Sequence, residues 1–173
     1  MALEISPAGE VLVRVPAGTP DALIRGFVQS RSDWIETHLA GIRARLAATE
    51  ALPRFTEAER QQLMRRARPV FEARADHFAP LVGVSRGRIT VRTQRSRWGS
   101  CSAGGNLSFN ALLILAPPEI LDYVVVHELC HRKEMNHSPR FWAEVARLIP
   151  DWRKRRQWLR REGAALMARL PEK

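Results

Sequence analysis

Two histidines and a glutamate lie close together in the sequence His127-Glu128-Leu129-Cys130-His131. In an α-helix, histidines at this spacing lie about one turn apart on the same face. Their imidazoles can therefore bind one Zn²⁺ ion, at the ~2.0–2.1 Å typical of zinc–nitrogen bonds. Glu128 follows the first histidine directly, so its carboxylate can reach a water molecule on the metal and act as a general base. The motif predicts a zinc hydrolase.

A catalytic zinc ion needs a third protein ligand, and His137 is the favoured candidate. It lies shortly after His131, just beyond the end of one predicted helix and before the start of the next. A chain reversal between the two helices would turn its imidazole back towards the metal. Glu134 and Glu144 are weaker candidates for the same position. Cys101 is a further conceivable ligand, although an ordinary reduced thiol is the favoured interpretation.

The helix that carries the motif is predicted to begin at Pro117-Pro118 and to end near Met135. It is apolar nearly all round, which is typical of a buried helix. A short helix over about 138–148 follows, and a basic helix begins after Pro150-Asp151. Two histidines and a glutamate on a buried helix need partners, because unpaired buried polar groups are costly. A metal ion would supply them.

Upstream of this helix, residues 88–92 and 106–114 alternate between apolar and polar side chains and are predicted to be strands. Residues 95–105 between them read as a Ser/Gly-rich loop. We expect the strand 106–114 to be the edge strand of a sheet, where an extended peptide could add a strand of its own. Asn106 and Asn110 are candidate substrate contacts on this strand. Arg97 and Trp98 are candidate substrate contacts in the preceding loop.

The first part of the chain is predicted to form a hairpin over 3–15 and one helix from Asp21 to about Ala48. Thr56 and Glu59 then form a capping box at the start of a further helix, which runs to about Leu81. Pro69 should kink or split that helix, because proline lacks the backbone N–H that the helix needs. No repeat or low-complexity linker interrupts the pattern.

Composition excludes several classes of protein. The chain has 173 residues, of which 45% are hydrophobic, and no apolar run approaches the length of a membrane span. It has only two cysteines and no recognisable secretory signal, which predicts a reduced, cytoplasmic protein. The net charge of +10 favours anionic partners. The arginine-rich segment 153–161, with tryptophans at positions 152 and 158, is a candidate nucleic-acid contact, although a solvated helix face is the commoner explanation.

Four segments together resemble the YgjP-like metallopeptidase family, which is related to the SprT-like and WLM-type zincins: 97–102 (RWGSCS), 105–110 (GNLSFN), 122–131 (DYVVVHELCH) and 136–142 (NHSPRFW). The resemblance implies an α+β, minimal zincin-like fold with a small mixed sheet and a Zn²⁺ site. By the same resemblance, His127, His131 and His137 are the metal ligands and Glu128 is catalytic. We expect one domain over residues 1–173, with an N-terminal hairpin and helix over 1–53 and a catalytic core with a basic C-terminal helix over 54–173.

The predicted function is zinc-dependent hydrolysis of peptides or proteins. The resemblance also implies an alternative, because some family members are described as nucleoside triphosphate (UTP) pyrophosphatases. Basic residues near the motif, including Arg95, Arg97, Lys133 and Arg140, could bind a phosphate chain. A third possibility is a protease associated with DNA, like the SprT-like relatives, in which the basic C-terminal helix contacts the nucleic acid.

Overall fold

The computed structural model describes residues 1–6, 9–50 and 53–171. The chain divides into two compact units, residues 1–53 and residues 54–173. The fold class is α+β, as expected: six helices and five short strands are present in the described part of the chain. No described helix is both long enough and apolar enough to cross a membrane.

The first unit begins with the predicted hairpin, in which β1 (Ala2–Ile5) pairs antiparallel with β2 (Val11–Arg14). The single helix expected over 21–48 is wrong, because the chain forms α1 (Asp21–Gln29) and α2 (Ser32–Glu50) instead. The hydroxyl of Ser30 donates a hydrogen bond to the carbonyl of residue 27 and so competes with the backbone bonding that would continue the helix.

The second unit begins with α3 (Glu57–Val82), which has the predicted capping box at its start and Gly83 in the left-handed conformation at its end. The helix is not split at Pro69, contrary to one expectation. Its buried residues recur at helical spacing on both sides of that proline, so packing of one continuous face holds the two halves together. These buried residues are Leu63, Ala67, Phe71, Ala75, Ala79 and Val82.

A three-stranded mixed sheet follows, formed by β3 (Ile89–Arg92), β4 (Gly99–Cys101) and β5 (Leu107–Asn110). Its order is β3-β5-β4, with β5 parallel to β3 and antiparallel to β4. Two expectations are therefore wrong. The loop predicted over 95–105 contains β4, and the strand predicted over 106–114 as an edge lies in the centre of the sheet.

The central strand is also shorter than predicted, because residues Ala111–Leu115 form a 3₁₀ helix. The side chain of Asn110 caps this helix by accepting a hydrogen bond from the backbone N–H of Leu112. The capping bond favours a turn over continued strand. As a result, the chain leaves the sheet early and passes through this partly buried 3₁₀ helix to the helix that carries the histidine motif.

The remaining helices are α4 (Pro118–Cys130), α5 (Pro139–Leu148) and α6 (Trp152–Ala168). The motif helix ends at Cys130 rather than near Met135, which corrects the prediction. Prolines occupy the first turn of α4 and of α5, where a missing N–H costs nothing. Helix α4 packs against α3, β4, α5 and α6, so it is buried on most sides, as its apolar sequence predicts.

Candidate metal centre

The last turn of α4 positions two of the three histidines. His131 caps the helix but retains helical dihedral angles, φ −63° and ψ −14°. The spacing of one turn from His127 is therefore preserved, and the two ring centroids lie 5.0 Å apart. The early end of the helix leaves the local geometry of the motif intact.

A tight turn brings the third histidine back towards the first two. The backbone N–H groups of Lys133 and Glu134 both donate to the carbonyl of Cys130, which reverses the chain directly after α4. Ser138 then starts α5 by accepting a hydrogen bond from the backbone N–H of Phe141. His137 is held between the turn and the new helix, as the sequence predicts.

The three imidazoles converge on one point. The Nε2 atoms of His127 and His137 are 3.0 Å apart, and ligand nitrogens of these two residues and His131 all lie within 4.8 Å of one another. Nitrogens on a tetrahedral zinc ion lie about 3.3 Å apart when each zinc–nitrogen bond is ~2.0–2.1 Å long. The His127–His137 separation is close to this value, and the three imidazoles would have to move closer together elsewhere in the group to hold a zinc ion.

The hydrogen bonds around His131 and His127 are compatible with metal binding through Nε2. Nδ1 of His131 lies 3.1 Å from the backbone carbonyl of Glu134, and a proton on this nitrogen leaves Nε2 with a free lone pair. Nδ1 of His127 is buried and has no hydrogen-bond partner among the described residues. With the proton on this Nδ1, Nε2 of His127 has the lone pair that a metal ion needs.

Aromatic side chains enclose the imidazoles. The ring of Phe141 lies 4.5–4.8 Å from each of the three. Trp142 stacks on His137 with its centroid at 5.6 Å, and Trp152 stacks on the other tryptophan at 4.0 Å. These contacts restrict the ring orientations and lower the local dielectric constant.

Burial also keeps two of the imidazoles, those of His127 and His131, neutral. It is the main cause that lowers the pKa of His127 to about 3, and the neighbouring histidines contribute to the same shift. Burial is likewise the main cause that lowers the pKa of His131. A neutral imidazole has the lone pair that a metal ion needs. The environment thus favours the metal-binding form of these two side chains at neutral pH.

Glu128 lines the same cleft as His127 and is almost completely buried, with 6% of the residue exposed. Burial raises its pKa to about 8, and the positive charge of Arg97 acts in the opposite direction. On the neighbouring strand, a Cβ atom at Gly99 would lie only 2.6 Å from Oε1 of Glu128. The absence of a side chain at this position allows β4 to lie directly against the carboxylate.

A cleft of about 290 Å³ opens beside Glu128 and His127. Its walls come from β4 with the residue before it, from α4 and from α6, and its lining residues are Trp98, Gly99, Tyr123, Val124, His127, Glu128, Arg156, Leu159 and Arg160. Burial raises the pKa of Tyr123 to about 12, so its phenol stays neutral. The cleft therefore combines apolar walls with two cationic side chains from α6.

Sequence reasoning missed Arg156 and Arg160 as cleft residues, because it treated the whole basic run as one surface. Their spacing of four residues in a predicted helix places both on one face, and that was the available signal. Other members of the run have different contacts. Arg155 pairs with Asp151 at 2.9 Å, and Arg153 lies over the ring of Trp152.

Both asparagines predicted to contact substrate are occupied within the chain. Asn110 is completely buried, and its amide donates to the carbonyls of Gln94 and Arg97. The side chain of Asn106 accepts a hydrogen bond from the backbone N–H of Arg88, where β3 and β5 begin to pair. These contacts favour structural roles over the predicted substrate contacts.

The other two candidate substrate residues lie near the site. Arg97 is exposed, and its charge acts on Glu128. Trp98 is half-buried, lines the cleft, and packs so closely on α6 that a Cβ atom at Gly163 would lie 2.6 Å from its ring. Trp98 thus packs against α6 and also lines the cleft.

The alternative ligands lie outside the cluster. Glu144 pairs with Lys133 at 3.0 Å and with Arg147 at 3.3 Å. Glu134 contributes its backbone carbonyl to His131. Cys101 is not part of the described metal-ligand group, and burial raises the pKa of its thiol, which favours an ordinary reduced thiol.

Comparison with known proteins gives a family match and a similarity to a solved structure. The sequence model of the family described as "YgjP-like, metallopeptidase domain" matches residues 1–63 and 55–162, which include all three histidines. No curated protein matches the chain. Among solved structures, the chain is similar to the metallopeptidase zymogen of Pyrococcus abyssi, abylysin, with 22% sequence identity, coverage of 51% of this chain and 90% of that chain, and a TM-score of 0.48.

Proposed function

We propose that this chain, which belongs to the YgjP-like metallopeptidase family, is a zinc-dependent peptidase in which His127, His131 and His137 hold the metal. The observation that carries the proposal is the convergence of three imidazoles within 4.8 Å beside a buried carboxylate. Imidazole nitrogen is a preferred ligand of zinc, and three protein ligands are typical of catalytic rather than structural zinc sites.

Zn²⁺ in this site would activate a water molecule and polarise the scissile carbonyl. Glu128 accepts the proton of the attacking water as the new carbon–oxygen bond forms. It then donates that proton to the amine nitrogen as the carbon–nitrogen bond breaks. Its position supports this role, because it follows the first ligand in sequence and Gly99 leaves its carboxylate unobstructed by a side chain.

The strand β4 is the proposed docking edge for an extended substrate. Among the described strands it pairs only with β5, and a Cβ atom at Gly99, its first residue, would meet the side chain of Glu128. A peptide added antiparallel or parallel to this edge would bring a backbone carbonyl to the metal through hydrogen bonds that do not depend on sequence. This replaces the earlier assignment of strand addition to residues 106–114.

Two substitutions test the proposal. Glu128→Gln should retain zinc and lose hydrolysis of unfolded casein by about 10²-fold or more, because only the proton acceptor is removed. His137→Ala should lose both zinc and activity. Zinc content by atomic emission, measured beside casein hydrolysis, separates the two roles. Full activity of Glu128→Gln, or full zinc content in His137→Ala, would contradict the assignment.

A second candidate function is hydrolysis of a nucleoside triphosphate, and one observation favours it: Arg156 and Arg160 line the same cleft as Glu128. Guanidinium groups are well suited to a phosphate chain. Incubation of the zinc-loaded protein with UTP and with casein decides between the two substrates. Release of pyrophosphate from UTP with casein intact would replace the peptidase proposal.

Binding of nucleic acid by the basic C-terminal helix remains a prediction. Its case is weaker than the sequence alone indicates, because Arg155 forms an ion pair and Arg156 and Arg160 face the cleft. A steep fall of DNA affinity with salt would still be the expected signature of such binding.

A further inference from the structure

Two arginines of α6 lie one helical turn apart and line the cleft that contains Glu128 and His127. Within the part of the chain that the structure describes, no carboxylate forms an ion pair with Arg156 or Arg160. Neighbouring Arg155, in contrast, is neutralised by Asp151 and also donates to the carbonyl of Glu119. Among the described residues, the cleft therefore contains two positive charges, and Glu128, its only carboxyl group, forms no ion pair with either of them.

One of these arginines is held in place. The guanidinium of Arg156 lies over the ring of Trp142, 5.1 Å from its centroid, and this tryptophan stacks in turn on His137. A stacked guanidinium loses less conformational freedom when it binds an anion than a free side chain does. The stacking also fixes the charge at a defined position relative to the imidazole cluster.

The remaining walls of the cleft determine what kind of anion fits. Val124, Leu159 and Trp98 contribute apolar surface, and the phenol of Tyr123 is neutral. A short aliphatic stem that ends in a carboxylate matches this arrangement, since the stem packs on the apolar walls and the carboxylate reaches the arginines.

We propose that Arg156 and Arg160 make the cleft select peptides with a carboxylate next to the scissile bond. The carboxylate is either an Asp or Glu side chain or the free C-terminus. This inference rests on the proposed peptidase function, because the cleft adjoins the residues assigned to catalysis. The two arginines are specificity residues, and the hydrolytic chemistry stays with Glu128 and the metal.

Matched peptides test the selection. A mixed peptide library analysed by mass spectrometry first locates the cleaved bonds in the zinc-loaded wild-type protein. Peptides that differ only as Glu or Gln beside that bond, each with a free or an amidated C-terminus, then give kcat/KM values. We expect the wild type to prefer one carboxylate form by about three- to tenfold, a range typical of charge pairs at partly exposed sites.

Variants assign the preference to the arginines. Arg156→Gln and Arg160→Gln should each reduce the preference, the double variant should abolish it, and Arg160→Glu should shift the preference towards peptides with Lys at that position. Arg153→Gln is the matched control, because Arg153 also stacks on a tryptophan of the same region but does not line the cleft. Each preference is a ratio of two kcat/KM values measured on the same protein, so a difference in zinc content between variants cancels.

The outcomes separate this inference from the proposed function. Equal cleavage of acidic and neutral peptides by the wild type, or an unchanged preference in the double variant, would overturn the selection and leave the peptidase function standing. Cleavage of no peptide, with turnover of UTP, would overturn both. If kcat/KM differs between the free and the amidated C-terminus, the arginines bind the C-terminal carboxylate. If kcat/KM differs between the Glu and the Gln peptide, they bind the side chain.

Discussion

The carboxylate of Glu128 occupies the space that a side chain at Gly99 would need. A Cβ atom there would lie 2.6 Å from Oε1 and 2.7 Å from Cγ of Glu128, well inside normal contact distance. The glutamate is almost completely buried, so its side chain has little room to move aside. Gly99 is thus a positioning residue for the proposed general base.

Gly99→Ala should therefore displace Glu128 and lower kcat by about 10²-fold, as a shift of about 1 Å in a catalytic group does elsewhere. Zinc content should stay unchanged, because Gly99 does not lie among the metal-ligand group. Gly104→Ala is the matched control in the same segment, since its Cβ would meet nothing closer than 3.9 Å. An unaltered kcat in Gly99→Ala would show that Glu128 tolerates displacement or is not the base.

At the scale of elements, the capping box at the start of α3 is a local device that the sequence predicts and the structure contains. The side chain of Thr56 accepts a hydrogen bond from the backbone N–H of Glu59, and the Glu59 carboxylate accepts one from the backbone N–H of Thr56. Thr56→Ala should lower the free energy of unfolding by about 1 kcal/mol. Thr56→Ser retains the acceptor and should cost much less in the same urea titration.

The ring of Trp98, directly before β4, packs so closely on helix α6 that Gly163 has no room for a side chain. Gly163→Ala should overpack this contact, lower the free energy of unfolding by about 1–3 kcal/mol and reduce kcat/KM by moving the cleft wall. Trp98→Leu in the Gly163→Ala background should recover part of the stability, because the smaller side chain makes room. A double-mutant cycle measures the coupling, and additive losses would mean that the two residues do not interact.

Whether the sequence predicts an element depends on how far apart in the chain the residues that determine it lie. Residues a few positions apart determine the motif helix, the capping box and the hairpin. These three elements can therefore be predicted from local sequence patterns. The order β3-β5-β4 depends on pairing between distant segments, and the three-residue strand β4 is too short to show alternation. The site divides in the same way: the spacing of His127 and His131 is local, whereas the contact of Gly99 with Glu128 is tertiary.

At the scale of the whole molecule, the proposed metal ligands tie together separate parts of the second unit. His127 and His131 end α4, and His137 precedes α5, which packs against α4. The imidazoles come together only when this turn is folded, so an unfolded chain binds zinc weakly at this site. A ligand that binds the folded state alone stabilises it by mass action.

Zinc should therefore raise the melting temperature of the metal-free protein. At a zinc concentration about 100 times the dissociation constant, the gain is about 2.7 kcal/mol, which corresponds to about 5–10 °C for a chain of this size. Glu128→Gln should show the same shift, since it keeps all three imidazoles. His137→Ala should show little shift of the melting temperature. Mg²⁺ should not replace zinc in this experiment, because Mg²⁺ prefers oxygen ligands. An undiminished shift in His137→Ala would place the zinc on other residues.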